Sequence, residues 1–192
     1  IRFFAVDLSQ RENVNIFCDS IIEEFGGISV VINNAGITLD NIFMRMSDSA
    51  WDKVFAINLD ASMAICRKFV RGMVKNKWGR IVNISSVVAS TGNSGQSNYV
   101  ASKGALNGLT KSLALEVATR GVTVNCISPG FIDTAMTAKL NDDQRSKIIE
   151  KIPMGRMGAG GDISSLALFL ASNESSYITG QNIHVNGGMF LG

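Results

Sequence analysis

The stretch Ile28-Ser29-Val30-Val31-Ile32-Asn33-Asn34-Ala35-Gly36 settles the fold class. A near-continuous apolar run breaks into asparagine, alanine and glycine. A strand covered on both faces reads this way, whereas a half-exposed strand alternates. The pattern recurs at residues 80–84 ahead of Ser85-Ser86, at 123–127 ahead of Pro129-Gly130, and at 182–185. An earlier apolar run, residues 3–6, ends at Asp7. Longer segments with helical periodicity lie between. Val14, Phe17, Cys18, Ile21, Ile22 and Phe25 follow i, i+3, i+4 spacing, predicting a helix over 15–25 that Gly26-Gly27 stop. Residues 48–74 read as one long helix, with Trp51, Phe55, Leu59 and Ile65 among its apolar positions. Residues 98–119 present Leu106, Leu109, Leu113 and Val117 on one face, and 163–171 follow Asp162 as N-cap. Such alternation predicts an α/β fold: a doubly wound parallel sheet with helices on both faces, spanning residues 1–192 as one domain. In these sheets ligands bind outside the carboxyl ends of the strands. Asp7, residues 33–36, Ser85-Ser86 and Pro129-Gly130 all fall at such ends.

Bulk properties exclude several function classes. A chain of 192 residues, 46% hydrophobic and 18% charged, buries a sizeable core and is not disordered. Its net charge is only +2 and its basic residues are dispersed, which argues against nucleic acid as partner. No apolar run approaches ~20 residues, so no membrane span is expected. Cys18, Cys66 and Cys126 lack metal-ligand spacing, so no metal is expected. Reduced, buried thiols fit the cytoplasm, or an organellar stroma or matrix. The only histidine is His184 and no Gly-x-Ser-x-Gly elbow exists, which disfavours a Ser/His/Asp hydrolase.

The chemistry concentrates in Tyr99-Val100-Ala101-Ser102-Lys103, with Ser86 upstream at a strand end. On a helix, Tyr99 and Lys103 share a face. A cation beside a phenol favours the phenolate, so such a tyrosine exchanges protons near neutral pH. Ser86 is placed to hydrogen-bond the same carbonyl or alcohol oxygen. Taken alone, a Tyr–Lys pair at this spacing is more often a helix-surface contact worth ~0.2–0.5 kcal/mol. Asn34-Ala35-Gly36 reads either as an ordinary turn or as backbone open to a ligand. Asn58 interrupts an apolar stretch and needs a partner, whether a structural hydrogen bond or a relay water. Pro129-Gly130, with Ile132 and Thr134, offers backbone and hydroxyl contacts to a flat amide ring, or is simply a turn. Residues 131–152 form a long excursion over the strand ends, suggesting a substrate lid. Gly155, Gly158, Gly160 and Gly161 follow Pro153 rather than an apolar strand, so they read as a loop and not a phosphate cradle.

In order and spacing, Asn33-Asn34-Ala35-Gly36, Asn58, Ser86, Tyr99-x-x-x-Lys103 and Pro129-Gly130 resemble the short-chain dehydrogenases/reductases, a Rossmann-like family. Within it the chain looks most like the bacterial and organellar 3-oxoacyl-[acyl-carrier-protein] reductases. Asn34-Ala35-Gly36-Ile37-Thr38, Met44-Arg45-Met46, the run from Gly92 to Tyr99, Pro129-Gly130-Phe131-Ile132 and His184-Val185-Asn186-Gly187-Gly188-Met189 carry that likeness. The resemblance implies NADPH-dependent reduction of a 3-oxoacyl thioester in fatty-acid synthesis. Tyr99 would donate the proton, Lys103 would bind the nicotinamide ribose, Ser86 would orient the carbonyl, and Asn58 would hold a water. Asp7 would meet the adenine, Asn34, Ala35 and Gly36 the adenosine ribose, and Ile132 the carboxamide. Gln96 would touch substrate. Lys77 and Arg120 match positions that dock an acidic acyl-carrier protein, and read equally as solvated surface charges. A homotetramer is implied, through the two long helices and the last strand, with Met189-Phe190-Leu191 at a subunit contact. His184 is expected to be structural.

The resemblance also implies two further strands, a glycine-rich turn and helices ahead of Ile1, roughly 50 residues from the size of a βαβ unit and a further helix. A chain without them is expected to bind cofactor poorly. Two competing functions remain in view. One is another short-chain dehydrogenase, acting on a CoA thioester, sugar or steroid carbonyl. The other is a non-catalytic binding protein of the same fold.

Overall fold

Four strands pair in parallel in the order β1-β2-β3-β4: β1 Val30–Asn33, β2 Gly79–Ile84, β3 Val122–Pro129 and β4 Asn182–Val185. This computed structural model describes residues 1–134, 137 and 141–192. Asn33 pairs with Asn83 and Asn83 with Cys126, so β1 and β2 end nearly level while β3 runs on to Pro129. Every residue of β2, and all of β3 but Pro129, is buried, which is why these strands are almost unbrokenly apolar. The helices are α1 Arg11–Phe25, α2 Asp48–Phe55, α3 Ala61–Asn76, α4 Val88–Thr91, α5 Ser97–Val117, α6 Asp142–Ile149 and α7 Gly160–Leu170.

Two cores flank the sheet. Val14, Cys18 and Ile21 of α1, Phe69 and Met73 of α3, and Ala114 and Val117 of α5 pack on Val31, Ile81, Val122 and Val124. On the opposite face Ala167 and Leu170 of α7 pack on Val82, Ile84 and Ile127. Side chains alternate across a strand, so Ile81 and Val82 serve different cores. The sheet is therefore doubly wound, as the sequence predicts.

Three local expectations are corrected. Residues 3–6 form no strand: Phe3 is 94% exposed, and Phe4 packs edge-on against Phe17 and Phe25 of α1. An apolar run becomes a strand only where a neighbour supplies a hydrogen-bond ladder, and α1 offers only side chains. The helix expected over 48–74 is interrupted by a π-turn, Ala56–Asp60, centred on Asn58. Such widened turns are rare in helices and frequent at functional sites. Asp162 is not the N-cap of α7 but its third residue, where its carboxylate accepts from the Ala159 N–H at 2.8 Å.

Candidate active site

Ser86 follows β2, and Tyr99 and Lys103 lie in the first two turns of α5. Two adjoining depressions meet at Ser86 and Tyr99. The larger, about 600 Å³, runs past Asn34, Gly36, Lys103, Pro129, Gly130 and Ile132 to the start of α7. The smaller, about 200 Å³, is lined by Thr38, Val88, Asn93, Gln96 and Phe131. Gly130, Ile132 and Thr134 border both. The site is thus a long cleft and a side pocket that share one hydroxyl pair.

A side chain would be crowded at Gly36 and would clash with backbone at Gly130. A Cβ on Gly36 would lie 3.3 Å from Lys103 Nζ and 3.4 Å from Asn58 Oδ1. One on Gly130 would lie 2.8 Å from the Asn186 Cα, inside any allowed contact. Gly130→Ala is accordingly expected to lower stability by ~1–3 kcal/mol, the cost of overpacking against backbone. Urea unfolding of the purified variant measures it.

Asn58 is fully buried, and its amide joins three elements. Its Oδ1 accepts from the Ile37 N–H at 2.9 Å; its Nδ2 donates to the Ile37 carbonyl at 3.0 Å and to Ser102 Oγ at 3.2 Å. Both amide protons are therefore committed within the protein. Ser102, fully buried, donates in turn to the Tyr99 carbonyl at 2.8 Å. A second buried chain lies level with it. Asn33 Nδ2 donates to Asn83 Oδ1 at 2.8 Å, Asn83 Nδ2 to Thr110 Oγ1 at 2.8 Å, and Thr110 meets Cys126 Sγ at 3.0 Å. It stitches the ends of β1, β2 and β3 to α5. The sequence signal for both chains was available, as polar residues at positions whose spacing is apolar, but nothing in a linear pattern says which of them pair.

Burial governs the ionisable groups. Lys103 is 3% exposed and its ammonium, which donates to the Ile84 carbonyl at 2.7 Å, is pushed down to about 8 by desolvation. The Tyr99 phenol moves the other way from the sequence expectation. Burial raises it, Asp40 adds to the rise, and Ser86 beside it pulls it partly back. Lys103 Nζ lies 5.8 Å from the Tyr99 ring centre and does not offset that burial. A desolvated phenol holds its proton more firmly. Cys18, Cys66 and Cys126 are buried free thiols, each raised to about 11 by desolvation.

Other expected site residues lie elsewhere. Asp7 borders a separate depression with Phe3, Phe4 and Phe17, and its carboxylate accepts from the Ser9 N–H and Oγ at 2.9 and 2.7 Å. Ala35 is exposed next to Asn34 and Gly36 but does not line the cleft. Gln96 borders the side pocket, yet its amide is engaged at both ends, donating to Asp40 Oδ2 at 3.0 Å and accepting from Asn93 Nδ2 at 2.8 Å. Lys77 and Arg120 are neighbours, Gly121 backing onto the Lys77 carbonyl, but they precede β2 and β3. They stand at the amino ends of the strands, roughly 20 Å from Ser86 at ~3.3 Å per residue of β2. His184 packs against Phe190 with ring centres 4.7 Å apart and planes tilted by 51°, while Leu191 is exposed. Within the excursion over 131–152, residues 135, 136 and 138–140 lie outside the described ones; Ile132 bridges to Gly158, and α6 is closed by an Asn141/Gln144 capping box. Among the described residues no group of His, Cys, Asp or Glu is placed to hold a metal, and no helix is long and apolar enough to cross a membrane.

Comparison with known proteins agrees with this geometry. The family model described as "Enoyl-(Acyl carrier protein) reductase" matches residues 1–190. Nodulation protein G of Rhizobium sp. (strain N33) is 48% identical over 191 residues, 100% of this chain and 78% of that protein. The 3-oxoacyl-[acyl-carrier-protein] reductase FabG of Vibrio cholerae is 46% identical over 187 residues, 97% of this chain and 77% of its own length. The protein of the same name from Rickettsia felis is 51% identical over 174 residues, 91% and 72% respectively. With a parallel doubly wound sheet, a cleft at its carboxyl ends and likeness of this extent along the whole chain, the protein is an oxidoreductase of the short-chain dehydrogenase/reductase family.

Proposed function

We propose that the protein is an NADPH-dependent 3-oxoacyl-[acyl-carrier-protein] reductase. The observation that supports it most is the meeting of a long cleft and a side pocket at Ser86 and Tyr99. The niche at Gly36, where a methyl would crowd Lys103 Nζ at 3.3 Å, suits close approach of a cofactor sugar. Asn34, Gly36, Lys103, Pro129, Gly130, Ile132 and Thr134 would hold the dinucleotide, which when bound supplies the hydride.

In this reading the 3-oxo group enters from the side pocket. Ser86 Oγ donates to its oxygen and orients it. Tyr99 donates the proton that the oxygen needs as it becomes an alcohol. A phenol raised by burial is protonated at pH 7 and suits the reductive direction. Lys103, still mostly protonated at pH 7, stabilises the phenolate left behind. Asn58 holds loop 34–37 against α5, and its committed amide leaves only main-chain atoms and Oδ1 for a relay water. The names of the FabG relatives support an acyl-carrier-protein thioester as substrate. Lys77 and Arg120, at the far end of the sheet, would meet that carrier only across a subunit boundary. The homotetramer is proposed on the same resemblance.

The test compares substrates directly. Acetoacetyl-carrier protein is expected to show a kcat/KM at least about 10-fold above that of acetoacetyl-CoA, with no turnover of a crotonyl thioester. Equal rates on carrier and CoA would favour a CoA-thioester dehydrogenase, and oxidation of NADPH by the crotonyl thioester would make the protein an enoyl reductase. No hydride transfer to any of the three would leave a binding protein.

A further inference from the structure

Ser102 is a costly residue for its position. It lies in the second turn of the 21-residue helix α5, is fully buried, and sits between Ala101 and Lys103. Alanine there would favour the helix and bury no hydroxyl. The i−3 bond to the Tyr99 carbonyl is local and does not need a second element. What an alanine would lose is the bond from Asn58 Nδ2 at 3.2 Å, the only tie between the Asn58 amide and α5 among the described hydrogen bonds.

The geometry of that tie is specific. Asn58 grips both the N–H and the carbonyl of Ile37, so it carries the segment 34–37 as a rigid unit. Ser102 then passes that placement to the turn bearing Tyr99 and Lys103. Gly36 and Lys103 Nζ are separated by a gap too small for a relaxed methyl. A small shift of α5 along its axis would therefore change the cofactor niche and the proton donor together. We propose that Ser102 is a positioning residue, whose hydroxyl sets the height of the Tyr99–Lys103 turn against the loop at Gly36. The inference rests on Tyr99 as the proton donor.

The experiment is a double-mutant cycle in the full chain, with NADPH oxidation by an acetoacetyl thioester as the assay. Ser102→Ala is expected to lower kcat roughly 10-fold, with KM for the thioester within about twofold, and to move the alkaline limb of the pH profile. In the Asn58→Ala background the same change is expected to cost nothing further. Ser102→Cys, which keeps the volume but offers Asn58 Nδ2 only a weak sulfur acceptor, is expected to follow Ser102→Ala and covers the case in which the alanine variant does not fold. Wild-type kcat and pH profile in both variants, or losses that multiply with Asn58→Ala, would overturn the inference. Tyr99→Phe separates the two levels: if it turns over normally the proton-donor reading fails, whereas if it is inactive beside a fully active Ser102→Ala only the positioning role fails.

Discussion

Replacing Tyr99 by Phe is expected to cut reduction of a 3-oxoacyl thioester by roughly 10²–10⁴-fold while leaving cofactor affinity within about twofold. The substitution removes one oxygen and keeps the ring, so the wall shared by cleft and side pocket stays in place. The phenol is half-buried and raised by desolvation, with the Ser86 hydroxyl beside it at the shared wall. Water there is a weaker acid than a phenol and is not held in the required position. Single-turnover measurement of NADPH oxidation reads the chemical step, and fluorescence quenching reads cofactor binding. Turnover within a few-fold of wild type would assign the proton to another group and remove the mechanism proposed above.

Lys103→Met should abolish most turnover and yet stabilise the fold at neutral pH. Buried Lys103 titrates near 8 in the folded chain against 10.5 in its ordinary state. Between those values the unfolded chain binds more protons than the folded one, so stability rises with pH across the window. Below pH 8 the whole penalty is present; above 10.5 it is gone. The shift corresponds to about 3 kcal/mol, and losing the bond to the Ile84 carbonyl returns about 1 kcal/mol. A net gain on the order of 1–2 kcal/mol at pH 7 is expected, vanishing towards pH 10.5. Urea titrations of wild type and Lys103→Met at pH 7 and pH 10 measure it. A variant less stable than wild type at pH 7 would show that the ammonium is fully compensated where it sits. In the wild type, reduction should decline as pH rises through about 8, because the neutral amine no longer stabilises the phenolate. A buried cation held against its own solvation is strain at a site, offset by the rest of the fold.

Some features were legible in the linear pattern because they repeat. The strands at 79–84 and 122–129 are buried on both faces, and burial on both faces leaves an apolar run that any reader can find; at 30–33 the run is as apolar, but only Val31 and Asn33 are buried while Val30 and Ile32 are exposed. The amphipathic α1 and α5 show themselves by period. The run at 3–6 has the same composition and is no strand, because pairing belongs to the neighbour and not to the residue. Residues 48–74 show one continuous helical period, yet the backbone inserts a π-turn at Asn58, where tertiary bonds to Ile37 and Ser102 reward the distortion.

Spacing places Tyr99 and Lys103 on one helical face and Ser86 at a strand end, since helix period and strand direction are local properties. Their electrostatics are not local. Sequence reasoning lets the lysine depress the tyrosine, whereas in the folded chain desolvation dominates both groups and favours the neutral form of each. Nor does order along the chain reveal that Lys77 and Arg120 stand together at the wrong end of the sheet for Ser86, or that Gln96 is already bonded to Asp40 and Asn93. Period and composition mark which segments are able to form strands and helices, because those propensities depend on residues a few places apart. Burial, pairing and the shared reach of Asn58 and Ser102 depend on residues 44 apart, and only the closed fold brings them within a hydrogen bond.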